Sequence, residues 1–330
     1  LFGPPVVRDV AAAVDALLGS GRFRQDVDFF VVPGDFPSGL PLPLDVPIFA
    51  HGAGWCHRGV ILLPLNDCLG GLVDDFARSL EGRRRPAAAR VRAEVARVVG
   101  VDRRLVWRGM LRRPTRCTVV SSFARACDCR VARESWNFTE LRRWPRVRLV
   151  ELSARFPNEM DASGRCSSSS GAASAAACAS AVLGAPAWLS REGPVIGTGR
   201  EFGGGAADAA SANAAWASYL LHASVDATAY NTLANWRPLL LGRVLVKQSS
   251  HIRVAWFRHA LRPFVHYVPM RFDLADARQR VLWTRGHPNR TERIRRAGHA
   301  FALRYLQRCR VYARLHVAEA LRRYATLMQV

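Results

Sequence analysis

The chain is almost without lysine. Lys247 is the only one in 330 residues, and all the other members of its 48 basic residues are arginine. Alanine is abundant as well. The formal charge of +22 therefore reads as compositional drift toward Arg and Ala, not as a nucleic-acid footprint. No run reaches the ~20 apolar residues that a spanning helix needs. No basic segment followed by an apolar stretch opens the chain, so a signal peptide is absent or trimmed. The start at LFGPP reads as that of a fragment or a mature form, with any membrane anchor outside the given segment. None of the eight cysteines forms CxxC, which excludes a zinc ribbon or a thioredoxin motif. Their even number permits disulfides in an oxidising lumen. Two sequons, Asn137-Phe138-Thr139 and Asn289-Arg290-Thr291, fit that compartment.

What is present describes a folded protein. A hydrophobic fraction of 49% and nine Trp supply a core, and the length suits one large domain or two medium ones. Residues 6–20 and 69–81 carry helical periodicity, and a basic helix is expected over 86–99. Strands are expected at 27–33 (VDFFVVP), 47–50 (PIFA), 60–65 (VILLPL) and 104–109 (RLVWRG), with a helix near 115–125. RVRLVEL (146–152) also reads as a strand. Residues 161–182 are Ser/Ala-rich, and 201–215 continue in that style, so 161–215 reads as a flexible insertion. Beyond it come a helix at 234–241, strands at 242–248 and 266–269, and helices at 273–285, 288–307 and 311–328. Strands alternating with helices predict an α/β fold with parallel sheets.

Several stretches carry possible chemistry. Asp26-Val27-Asp28 has the form of a metal-holding DxD, but it begins a strand where such a motif ends one, so it reads as solvated. GTGREFGGG (197–205) is spaced GxGxxxG, which departs from the dinucleotide fingerprint, and reads as a loop. His51, Cys56, His57 and Cys68 fit no common zinc spacing, and no metal site is expected. VVPGDFPSG (31–39) ends a strand in a lone carboxylate, Asp35, open to either a turn or a chemical role. VWRGMLRRPTR (106–116) sets several guanidiniums beside a glycine turn. Arg forks suit phosphate oxygens, and a solvated arginine face is the other reading.

The C-terminal third adds a pattern. LVKQSS and the run from Trp256 resemble glycosyltransferase family 90, which contains protein O-glucosyltransferases and capsule-associated xylosyltransferases. The resemblance rests on Lys247, Gln248, Trp256, Phe257, Leu261, Pro263, His266, Tyr267, Pro269, Asp273, Leu274, Trp283, Ala297, Gly298 and Phe301. Earlier segments follow in order: VVPGDFP resembles the family's "xDWP", PIFA its "PIFS", and VWRGMLRRPTRC its "xFRGS….ER". The resemblance spans about 25–125 and 216–320.

It implies a GT-B fold, two Rossmann-like domains facing across a cleft. Residues 1–100 would form the acceptor-side domain, with the helix at 306–330 packing back onto it. Residues 101–305 would bind the nucleotide sugar. It also implies an inverting, metal-independent transfer of glucose or xylose from UDP in the endoplasmic reticulum or Golgi. The acceptor would be a glycoprotein or polysaccharide hydroxyl, and no nucleic acid is expected as partner. Asp35 would be the general base, Arg116 the diphosphate contact, and Arg108 a structural or sugar-side contact. Gly109, Asp226, Arg237 and Lys247 complete the implied donor site. One departure stands out. The family reads "xDGxxxxxRF" where this chain has VDATAYNTLANWRPLLLG. Asp226 fits, Ala227 replaces the glycine, and the arginine slot falls on Leu233 or Asn235, with Arg237 two residues beyond. That departure motivates an alternative, an inactive member acting as a glycan- or protein-binding scaffold.

Overall fold

The computed structural model describes residues 15, 19, 30–32, 48–50, 60–62, 101–111, 145–166, 217–225, 232–249, 260–307, 315–316 and 318–323. Among the described residues two sheets are present, and every pairing in them is parallel, as expected. The first joins β1 (Phe30–Val32), β2 (Ile48–Ala50) and β3 (Val60–Leu62) in that order. The second has five strands: β4 (Asp102–Leu111), β5 (Met160–Cys166), β6 (Tyr219–Ser224), β7 (Val244–Gln248) and β8 (Val268–Met270). Its spatial order is β5-β4-β6-β7-β8.

Among the described residues four helices accompany the second sheet: α1 (Pro145–Arg155), α2 (Thr232–Leu240), α3 (Ala277–Gly286) and α4 (Pro288–Gln307). Residues 315–316 and 318–323 are also helical. The middle strands are buried on both faces. Val244, Leu245 and Val246 are consecutive and fully enclosed, which requires cover above and below the sheet. α2 and α4 pack against each other and onto β7, joined by stacking of Trp236 on Phe301 at 5.9 Å. α1 packs on β5, where Ser153 Oγ accepts a hydrogen bond from the Ala162 N–H at 2.8 Å. α3 contacts β8 and β4, and its Arg278 lies 4.3 Å over the Phe156 ring just beyond α1. One apolar cluster joins these layers through Leu105, Leu149, Leu221, Val246 and Val281.

Two expectations are corrected here. Residues 146–152 are helical, not a strand. The buried positions of α1 are Arg146, Val147, Leu149, Val150 and Ser153, the three-and-four spacing of a helix face. Pro145 takes the first helical position, where a missing N–H costs nothing. The second correction concerns the start of the Ser/Ala-rich segment. Met160–Cys166 is not loop but an edge strand paired with β4 over seven residues, from Leu105↔Met160 to Leu111↔Cys166. The remainder of that segment, 167–215, lies outside the described residues. Among the described residues, no helix is long and apolar enough to cross a membrane.

Candidate active site

In chain order the second sheet reads 2-1-3-4-5, a doubly wound arrangement whose winding reverses between β4 and β6. At such a reversal the connections leave in opposite directions. They open a crevice beyond the carboxyl ends of the two strands, where open α/β sheets bind ligands.

The strand register puts the backbones of two of the expected site residues in one row. Val106 pairs with His222, so two residues on Arg108 comes level with Ser224. Ser224 pairs with Lys247, and Lys247 with Pro269. On the other side Arg108 pairs with Ser163. Partners across a parallel register share a face, so Arg108 and Lys247 lie on the same face with β6 between them. Their backbones are roughly 10 Å apart at the usual strand spacing. The Lys247 ammonium donates to the Gln248 carbonyl at 3.2 Å.

Arg108 is held tightly. Its Nη2 lies 2.6 Å from Asp161 Oδ1, and Nη1 donates to the carbonyls of Trp107 (3.0 Å) and Asp161. The other Asp161 oxygen accepts from the Tyr219 hydroxyl, and Arg104 Nη2 approaches it at 3.5 Å. Arg104 forms a fork on Asp102 at 2.8 and 2.6 Å, and its guanidinium lies 5.8 Å over the Tyr219 ring. Burial pushes the Tyr219 phenol above its ordinary value, and the bond to Asp161 adds to this. Burial opposes ionisation of Asp102, but the hydrogen bonds from Arg104 outweigh it and hold the carboxyl below its ordinary value.

Gly109 has a steric reason to be glycine. A Cβ there would stand 2.6 Å from the buried Trp107 ring. The Trp107 ring also carries Arg146, whose guanidinium lies 5.7 Å from it. Arg146 is buried in the first turn of α1, the helix that follows β4. Reading 146–152 as a strand concealed this cation; the Pro at 145 was the signal for a helix start. Arg237 is buried in the last turn of α2, the end that leads into β7, and Asn235 beside it is also buried. Asp35, Arg116 and Asp226 lie outside the described residues, although β1 and β6 end three and two residues before Asp35 and Asp226.

Many residues of the C-terminal pattern hold the scaffold. Gln248 Nε2 donates to the Phe272 carbonyl. Asp273 accepts the Ala275 N–H at 3.1 Å and pairs with Arg271 at 2.8 Å. Leu274 is fully buried with a φ of 57°, a left-handed backbone rare for leucine. His266 stacks on Phe301 at 4.8 Å, and a Cβ on Gly298 would stand 2.6 Å from the His266 carbonyl oxygen.

The chain resembles known proteins in part. It is 33% identical over 89 residues to protein O-glucosyltransferase 2 of Danio rerio, covering 27% of this chain and 17% of the relative. It is 31% identical over 87 residues to protein O-glucosyltransferase 3 of Homo sapiens, covering 26% and 17%. A third match, 36% over 53 residues, is to uncharacterized protein 179R of Invertebrate iridescent virus 6, covering 16% and 4%. The matched region thus spans less than a fifth of each curated relative's length. The segment that carries LVKQ and HYVP matches the family model of Glycosyl transferase family 90, over residues 216–330.

Proposed function

We propose that this protein is a UDP-sugar-dependent glycosyltransferase that moves glucose or xylose to an acceptor hydroxyl with inversion. The observation that carries the proposal is the family match over 216–330. The parallel sheet supports it, with a winding reversal and with Lys247 near the carboxyl end of β7. Two Rossmann-like units in a GT-B arrangement, acting in the endoplasmic reticulum or Golgi on a glycoprotein or polysaccharide, belong to the same proposal.

The chemistry has two demands. As the sugar leaves, negative charge grows on the β-phosphate of UDP, and fixed cations must stabilise it where no metal does. Arg116 and Lys247 are proposed for this charge, with Gly109 and Asp226 completing the donor site; Arg108, folded back onto Asp161, and Arg237, where α2 leads into the amino end of β7, serve the scaffold. The acceptor hydroxyl must lose its proton as it attacks, and Asp35 is proposed as the base. Replacing Asp35 by Asn keeps the shape and removes the base. Sugar transfer from UDP-glucose or UDP-xylose should fall about 10²–10⁴-fold in Asp35→Asn, with UDP binding retained. Equal rates in the two proteins would refute Asp35 as base.

A second reading, an inactive binding scaffold, draws on the burial of Asn235 and Arg237 in the helix where the family pattern has its arginine. It predicts that UDP leaves the melting temperature unchanged.

A further inference from the structure

We propose that Asn289 is the acceptor of an N-linked glycan, at a site that the fold leaves open on the rim opposite the crevice. The inference rests on the secretory-pathway reading above.

The sequon Asn289-Arg290-Thr291 falls in the first turn of α4. Its chemistry needs an amide that can be reached and a hydroxyl two residues on. At about 100° per residue, the helix sends these two side chains to opposite faces. Asn289 shares its face with Arg293, Arg296, Ala300 and Leu303, all exposed. Thr291 shares its face with Ile294, Gly298 and Ala302, all buried. The whole turn from Gly286 to Arg290 is exposed, so a bulky group on Asn289 extends into solvent.

The position suits a large modification. α3 follows the carboxyl end of β8 and carries the chain back along the sheet. Near its end Arg285 Nη2 donates to the Asn158 carbonyl at 2.6 Å and approaches the Arg103 carbonyl at 3.5 Å. Those carbonyls lie at the amino ends of β5 and β4. Asn289 follows four residues after Arg285. The crevice opens at the carboxyl ends, so a glycan on Asn289 leaves it clear.

The hydroxyl of Thr291 also sets the timing. It is buried in the fold, where Oγ1 donates to the Thr284 carbonyl at 2.9 Å and ties α4 to α3. The same hydroxyl is needed for transfer, so transfer precedes the docking of α4. In the step, Asn289 Nδ2 attacks the anomeric carbon of a lipid-pyrophosphate-linked oligosaccharide. A carbon–nitrogen bond forms, and the bond from that carbon to the phosphate oxygen breaks. The lipid pyrophosphate leaves, and the amide gives up one proton.

The experiment takes the full chain from its own cells and releases its glycans with peptide-N-glycosidase in heavy-oxygen water. Mass spectrometry should recover residue 289 as labelled aspartate. Asn289→Gln keeps the Thr291–Thr284 contact and should lose one glycan's step in electrophoretic mobility. Thr291→Ser should retain the glycan, and Thr291→Val should lose it. A glycan on Asn137 with Asn289 unmodified would overturn the inference and leave the secretory reading standing. Two unmodified sequons would overturn it as well. Recovery of that unmodified chain with cytosolic proteins would remove the compartment reading too.

Discussion

His266 shows how a single side chain couples the packing to pH. Its Nδ1 accepts the Arg262 N–H at 3.0 Å, and its ring lies against Phe301. An imidazolium has no lone pair for that N–H. Burial, and then the nearby Arg262 charge, lower the pKa from the ordinary 6.5, while a bond to the Ala260 backbone offsets part of this. The folded protein therefore prefers the neutral ring. Between the lowered value and 6.5 the unfolded chain binds more protons, so stability is full above about 6.5 and is lost as pH falls below it. The urea midpoint should fall between about pH 7.5 and pH 5.5, a window above the carboxylates. His266→Gln, which cannot take up a proton, should flatten that slope. A variant with the wild-type slope would show that another group sets it. At this scale the sequence was informative where a residue type is scarce or repeated in a pattern. Lys247 and Arg108 were both legible and fall in one row. Asp161 was not, because a carboxylate in a Ser/Ala-rich context has no local mark of its cross-strand partner.

At the scale of elements, α4 is the best-specified piece. Its bounds, 288–307, could be read from periodicity and from Pro288 at its start. Its docking depends on one glycine. A methyl group on Gly298 would lie 2.6 Å from the His266 carbonyl oxygen and 2.8 Å from Leu239 Cδ2. The leucine end can shift, but the backbone carbonyl cannot do so without moving the turn that leads into β8. Gly298→Ala should therefore destabilise the protein by about 1–3 kcal/mol, despite alanine's better helix propensity. Chemical denaturation measures this, and a neutral or stabilising result would mean that the helix sits farther from the turn. The same scale holds the two misread elements. RVRLVEL alternates charge and apolarity like a strand, yet its apolar residues at 147, 149 and 150 also suit a helix. A seven-residue window cannot separate the two periods. β5 (MDASGRC) has little strand propensity of its own. It is a strand because β4 offers a parallel edge with matching register, which is tertiary information.

For the whole molecule, the class was legible from alternation of strands and helices, and the parallel sense followed from it. The strand order was not, since adjacency of β4 and β6 depends on contacts more than a hundred residues apart in sequence. That order gives the donor proposal its place, and it supports a test on the intact protein. A ligand that binds only the folded chain stabilises it by about 2.7 kcal/mol at a hundred times its dissociation constant. UDP should therefore raise the melting temperature in a concentration-dependent way. The proposal assigns the diphosphate to arginine and lysine instead of a divalent ion, so the shift should persist in EDTA. It should shrink as salt is raised, because ions screen the exposed part of these contacts. A shift that vanished in EDTA and returned with magnesium or manganese would assign the diphosphate to a metal and refute the cation-only site. A shift given equally by UDP and by RNA fragments would instead trace to the +22 charge of the chain, not to a nucleotide crevice at the end of β4.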